Sequence, residues 1–298
     1  MCDLRGAAGF GFILFHAATD AVATATDATA DTVIDTADWY DAHSSICLSE
    51  RVMPKQGEID YLKNIGEDAI QHAVYKPFSD AFCGSYLMEI GAMMTLLPQP
   101  PGRLLDLGCG TGWTSCFWAK RGYHVVGQDI AADMIHHAEQ NRDRQNLQNL
   151  DFVISDYESM DFHDEFDCAV FFDCLHHAVD EVSALRAVYQ ALRPGGVCIT
   201  SEPGEGHSKS PDSIKAMQEF GVTERDMPPW LIKRAAQQVG FRRAYTYPHT
   251  HGFISWSYRQ TPRKGWKRIF NYPVLSSLGL AYTDLVSKHK NGIVLLVK

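Results

Sequence analysis

From residue 103 onward the chain repeats one pattern, and that repeat limits the fold more than any other feature. A short apolar run is followed by a turn, then by an amphipathic stretch that ends at a breaker. The runs at 103–107, 123–129, 151–154, 166–172 and 197–201 are too short for helices and read as strands. Between them, 114–121 reads as a helix closed by Gly122 and 132–144 as a second helix. The stripe Val182, Leu185, Val188, Tyr189 and Leu192 marks a third. The run 166–172 is apolar on both faces, as buried parallel strands are. A helix at 231–239 ended by Gly240, a strand at 241–247 and a last strand at 292–297 complete the series. The expectation is an α/β fold: a doubly wound, mostly parallel seven-stranded sheet, Rossmann-like, with right-handed crossovers.

The region before the sheet is helical in pattern. Residues 58–75 read as one helix. A second starts at a Ser79-Asp80 cap and carries Phe82, Tyr86, Leu87, Ile90, Met93, Met94 and Leu97 on one stripe, until Pro98, Pro100 and Pro101 stop it. This gives an N-terminal helical cap at 37–102 and a main domain at 103–298. Residues 1–36 are expected to be a disordered tail, because 20–35 is almost all Ala, Thr, Val and Asp and has little to bury. Arg5 followed by an apolar stretch has the outline of a secretory leader. Asp3 offsets that charge, and Gly and His break the run. With eight cysteines that form no C-x-x-C pair, the expectation is a cytoplasmic protein with reduced, mostly buried thiols. The formal charge of −9 argues against nucleic acid as the main partner.

The chemistry concentrates in Leu105-Asp106-Leu107-Gly108-Cys109-Gly110-Thr111-Gly112-Trp113-Thr114, between the first strand and the first helix of the α/β unit. Ligands of open sheets bind outside the carboxyl ends of strands, and this turn is the usual place. Asp129 closes the next strand, where a carboxylate can accept both hydroxyls of a ribose. The glycine spacing is G-x-G-x-G rather than the dinucleotide G-x-G-x-x-G. Asp106 just before it would repel a pyrophosphate but suits a cationic ligand. S-adenosylmethionine (SAM), with its ammonium and sulfonium groups, is such a ligand.

These residues resemble the first motif of class I SAM-dependent methyltransferases, and the resemblance runs over roughly residues 100 to 250. Asp129 matches the family's ribose-binding acid. Ser155-Asp156-Tyr157 is similar to the position that meets the adenine amino group. Phe172-Asp173-Cys174-Leu175-His176-His177 resembles the motif beside the transferable methyl, and Leu192 to Gly196 the turn before the fifth strand. The similarity is greatest to the small-molecule branch that includes the ubiquinone and menaquinone biosynthesis enzymes. It implies SAM as cofactor, held by Asp106, Gly108, Cys109, Gly110, Thr111, Gly112, Asp129, Ile130, Met134, Ser155, Asp156, Tyr157 and Phe172.

His176, His207 and Glu202 are the candidate catalytic groups, since a carboxylate or an imidazole can take a proton at neutral pH. His177 ranks behind His176. No metal-ligand rhythm is present, and no metal is expected. Trp39, Tyr40 and Phe172 are candidates for cation–π contact with the sulfonium. Residues 251–290 form a long insertion between the last two strands. Its Arg259, Arg263, Lys264, Lys267, Arg268, Lys288 and Lys290 are interleaved with aromatics. It reads as a lid for an anionic or lipid-linked acceptor, as a peripheral membrane contact, or as a solvated face packed on the core. The expected reaction is O- or N-methylation of a small molecule such as a sugar, a lipid-linked compound or a natural-product intermediate. The alternatives are an RNA- or protein-directed enzyme and a SAM-binding module without turnover.

Overall fold

The computed structural model describes residues 55–258 and 262–298. The tail at 1–36, the first part of the cap at 37–54, Trp39, Tyr40 and Arg259 lie outside the described residues. Within them the chain runs α1 (Gln56–Asn64), α2 (Glu67–Val74), α3 (Cys83–Leu96), β1 (Arg103–Leu107), α4 (Trp113–Arg121), β2 (His124–Asp129), α5 (Ala132–Arg144), β3 (Leu150–Ile154) and β4 (Phe166–Phe172). There follow α6 (Glu181–Ala191), β5 (Leu192–Ser201), α7 (Pro211–Phe220), α8 (Pro229–Val239), β6 (Arg243–Tyr247), α9 (Thr250–Ser257), α10 (Pro273–Lys290) and β7 (Ile293–Val297).

The seven strands form one sheet in the order β3-β2-β1-β4-β5-β7-β6. The first five run parallel, and β7 pairs antiparallel with both β5 and β6. The strand order reverses between β1 and β4, which opens a crevice at their carboxyl ends. Strand alternation divides the core in two. Leu105, Leu107, Ala169, Phe171 and Leu296 face α6 and α8 with Leu185, Val188 and Ile232. Leu104, Cys168, Val170 and Leu295 face α3 and α4 with Ile90, Met93 and Trp118. Both faces of β4 are therefore buried from Cys168 to Phe171, as the apolar run after Asp167 requires.

Some boundaries differ from the sequence reading. The single helix expected at 58–75 is two, because Gly66 takes φ 81 between them. Ser79-Asp80 does not cap α3. Asp80 is buried, its Oδ1 accepts the Phe82 N–H at 2.7 Å, and the helix begins three residues later, at Cys83. Strand β5 starts at Leu192 rather than 197, because Leu192 pairs with Phe166 before a register shift at the Pro194-Gly195-Gly196 turn. Among the described cysteines all are free, and Cys109, Cys116, Cys168, Cys174 and Cys198 are buried.

Candidate active site

A cavity of about 320 Å³ opens at the carboxyl ends of β1 and β4, where the strand order reverses. Its floor is the β1–α4 turn, with Gly108, Cys109, Gly110 and Thr111, together with Asp129 and Ile130 after β2. Met134, Asp156, Tyr157 and Phe172 complete one wall. A Cβ on Gly110 would meet only the Met134 sulfur, at 4.0 Å, so it would project into the space a ligand needs. Asp129 ties the turn together: its Oδ2 accepts the Gly110 N–H at 2.8 Å and its Oδ1 the Ala131 N–H at 3.0 Å. Each oxygen keeps lone-pair capacity for a ribose hydroxyl. Burial raises the Asp129 pKa, against the pull of those N–H groups. Glycine, ribose-type acid and apolar wall thus fit SAM.

Four expected cofactor contacts or catalytic groups do not face this cavity. Asp106 is buried behind the turn, where Thr114 Oγ1, Ser115 Oγ and Trp118 Nε1 donate to it at 2.8, 2.5 and 3.2 Å. Its carboxylate braces α4 against β1 and is not available to a cation. Burial pushes its pKa up to about 6 even so. Gly112 takes φ 74, and its α-carbon packs against Ala138 and Phe152, so it permits close helix packing rather than ligand approach. Ser155 does not line the cavity, and its hydroxyl is buried without a hydrogen-bond partner. Glu202 follows β5, and its carboxyl reaches the turn after β4: Cys174, Leu175 and His176 donate their N–H groups to it at 3.3, 3.0 and 3.2 Å, and His176 Nδ1 lies at 2.8 Å. It positions that turn instead of accepting a substrate proton. Burial, helped by the neighbouring Asp173 carboxylate, pushes its pKa up to about 8.

The histidines sort themselves by their partners. His176 is fully buried, with Nδ1 on Glu202 and Nε2 3.6 Å from Glu224. Burial holds its pKa well below the usual imidazole range. His207 is also buried and its Nε2 pairs with Glu224. His177, half-buried, lines the cavity, and its Nδ1 lies 2.5 Å from the Thr223 carbonyl oxygen. Asp173, beside them, takes φ 56, uncommon for a non-glycine and frequent at functional sites. Burial raises its pKa. His176, His177 and Glu224 bring ligand-type atoms within 4.8 Å of one another. Spacing along the chain could not reveal that cluster.

The roof of the cavity is α1, α2 and α7. Glu58 accepts the Thr223 N–H at 2.7 Å, and Tyr61 meets Phe220 edge-on at 5.4 Å. Lys55 pairs with Asp156 and, at 2.8 Å, with Glu158, at the end of the cavity lined by Asp156 and Tyr157. Lys76 lies 5.5 Å over the Tyr86 ring, and burial lowers its pKa to about 8. Sequence reasoning did not single out Lys55, Lys76, Asp173 or Glu224. Among the described residues, none of 250–290 lines this cavity. Instead, His249, Thr250 and His251 border a second space of about 100 Å³, which shares Tyr86, Phe172 and Asp173 with the first. The insertion also touches the loop after β5, where the Glu205 N–H donates to the Lys290 carbonyl at 2.9 Å. Arg263 is buried, donating to the Phe270 and Trp256 carbonyls at 3.0 and 3.1 Å, so it braces the insertion and faces no acceptor.

The sheet order, the glycine turn and the acid after β2 define the Rossmann-like methyltransferase fold. Residues 105–200 match the family model described as a methyltransferase domain. This stretch, β1 through β5, is thus similar to methyltransferase domains. The ubiquinone biosynthesis O-methyltransferase of Aeromonas salmonicida is 33% identical over 99 residues, covering 32% of this chain and 40% of that protein. The malonyl-[acyl-carrier protein] O-methyltransferase of Erwinia pyrifoliae is 33% identical over 145 residues, 47% of this chain and 49% of the relative. The matched stretch thus spans half or less of these relatives' length. Phosphoethanolamine N-methyltransferase 2 of Haemonchus contortus, in complex with SAM, has a similar fold at TM-score 0.56 and 18% identity, over 80% of this chain and 59% of that one. No helix among the described residues is long and apolar enough to cross a membrane.

Proposed function

We propose that this chain transfers a methyl group from SAM to a hydroxyl of a non-anionic small molecule, with His177 accepting the hydroxyl proton. His177 carries the reading. A carbonyl oxygen only accepts, so the Nδ1 beside Thr223 holds the ring proton and Nε2 keeps its lone pair. An imidazole fixed in that tautomer at a cavity wall is equipped as a general base. When bound, SAM supplies an electrophilic methyl on a sulfonium centre. The protein then has to hold acceptor and donor in line and exclude water, which can contribute about 7–11 kcal/mol in well-aligned cases. Gly110, Asp129 and Met134 would hold the cofactor. Tyr86, Trp113 and Phe172, in mutual edge contact at 5.5–6.2 Å, would wall the methyl-donating end.

The charge of the cavity disfavours an anionic acceptor. Glu58, Asp129, Asp156, Asp173, Asp212 and Glu224 line it against Lys55, Lys76 and Lys215. An anion, nucleic acid included, would meet a net negative field. The basic side chains of the insertion, which suggested an anionic acceptor, lie elsewhere.

The test is incubation of the full chain with labelled SAM and extracts of its source organism, followed by identification of the labelled product. An O-methylated small molecule is expected. His177→Asn should lower turnover by about 10²–10⁴ while the SAM dissociation constant stays within about twofold. Label in RNA or protein would overturn the acceptor class, and full turnover by the variant would remove His177 as the base.

A further inference from the structure

The helix α10 turns an apolar face toward solvent. Val274, Leu278, Tyr282 and Leu285 recur at four-, four- and three-residue steps, which places them on one face. That face points away from the protein, with exposures of 73, 62, 70 and 69%. The opposite side, which meets the fold, carries Ser276, Gly279 and Thr283 beside the half-buried Leu280 and Val286, so the helix is apolar on both sides. Trp256 Nε1 donates to the Ser276 carbonyl at 2.8 Å and to its hydroxyl at 3.2 Å, and a Cβ on Gly279 would fall 1.9 Å from the Trp256 ring. The 3₁₀ segment Gly265–Asn271 before α10 extends the exposed surface with Trp266 and Ile269, at 72 and 47%. Among the described residues nothing covers this apolar face, and ordinary soluble surfaces do not carry one so continuous.

Its rim is basic. Residues 262–290 contain six Lys and Arg side chains and one acid, in a chain of net charge −9. That acid, Asp284, is paired with Lys288 at 2.9 Å. Lys264 and Arg268 are exposed, and Lys267 reaches over the Trp266 ring at 5.7 Å. Apolar and aromatic side chains at the centre, with cations beside them, match the two layers of a lipid surface: acyl chains below, anionic headgroups above. A second copy would oppose one basic rim with another and is disfavoured by repulsion. We infer that residues 264–285 dock this protein on the surface of an anionic lipid bilayer, with the apolar face of α10 seated in the headgroup region. The inference does not depend on the acceptor proposed above.

Cosedimentation of the full chain with vesicles tests it, using phosphatidylcholine alone and phosphatidylcholine mixed with phosphatidylglycerol. Binding is expected to the mixed vesicles and should weaken as salt rises. Replacing Lys264, Lys267 and Arg268 with Glu should lower partitioning by roughly a hundredfold or more, taking three such contacts together. Leu278→Glu with Leu285→Glu should abolish it. Both variants alter exposed positions save the half-buried Lys267, and an unchanged SAM titration will confirm that they are folded. Failure of the wild type to bind mixed vesicles would overturn the inference, as would binding that neither variant reduces. A wild-type dimer in analytical ultracentrifugation that the Leu278/Leu285 variant dissociates would also overturn it, by assigning this face to a second copy.

Discussion

The glycine turn between β1 and α4 and the insertion between β6 and β7 are built on opposite plans. In the turn, polar groups are satisfied by the chain itself. Asp106 takes three donors from α4, Asp129 takes two backbone N–H groups, and Gly112 packs without space to spare. In the insertion, Leu280 and Val286 face the protein beside Ser276, Gly279 and Thr283, while Val274, Leu278, Tyr282 and Leu285 point outward. One region is complete as folded and pre-organised for a small ligand. Among the described residues, the other leaves a row of large apolar side chains exposed. Substitutions should therefore act on folding and cofactor binding in the first region, and on association in the second.

The sharpest test uses two glycines with left-handed backbones. Gly112 has φ 74, and an added Cβ would lie 2.8 Å from both Ala138 and Phe152; Gly265, in the insertion, has φ 58 and nothing within 4 Å. Gly112→Ala combines backbone strain with overpacking, together about 3–5 kcal/mol. Gly265→Ala suffers strain alone, about 1–2 kcal/mol. Thermal unfolding should show a drop of roughly 10 °C or more for the first and about 5 °C or less for the second. Equal drops would mean that the turn is no more tightly packed than the insertion.

Asp129→Ala sharpens the same contrast at the level of binding. It removes an acceptor that anchors the Gly110 and Ala131 amides and offers lone pairs to a ribose. Charge-assisted hydrogen bonds of this kind contribute about 1.5–3 kcal/mol, so SAM affinity should fall roughly ten- to hundredfold by calorimetric titration. An unchanged dissociation constant would mean that the acid after β2 only shapes the turn.

Legibility followed sequence separation. Strand β4 and helix α5 are found at the residues their patterns indicate, because each pattern repeats within a few positions. Helix ends were harder: the break at Gly66 rests on a glycine with positive φ and the turn before Cys83 on an Asp80–Phe82 contact, neither of which periodicity reports. In the site, the strand-end acid Asp129 was readable because its place is set by the first βα unit. Asp106 was assigned a ligand from its charge, although its donors Thr114, Ser115 and Trp118 follow within 12 residues. His177 could not be ranked above His176 from sequence. The contact that fixes its tautomer comes from Thr223, 46 positions away, and the one that occupies His176 comes from Glu202, 26 away.

Glu202 offers a test by pH. Its folded pKa is raised to about 8, chiefly by burial, above an unfolded value near 4.3. A raised folded pKa contributes stability that is fully present below the unfolded value and is lost as pH rises through about 8. Wild type should thus lose melting temperature between pH 6 and pH 9. Glu202→Gln, which cannot titrate, should start roughly 5 °C lower at pH 6, from about 1–3 kcal/mol of lost acceptor strength, and should change less with pH. Parallel curves for the two proteins would show that Glu202 stays ionised throughout.

The smallest effect is expected where the sequence suggested a lid. Replacing Lys264, Lys267 and Arg268 with Ala alters side chains that do not line the 320 Å³ cavity. Exposed charges at that remove are screened over about 8–10 Å at ordinary salt, so they exert little field on the cavity. SAM affinity should remain within about twofold of wild type, and turnover of a small acceptor free in solution should be unchanged. If turnover falls while SAM affinity holds, and added salt reduces the wild-type rate in the same way, the basic rim closes over the acceptor during the reaction. The division between a self-sufficient cleft and an outward-facing insertion would then fail at the step where the two regions would have to meet.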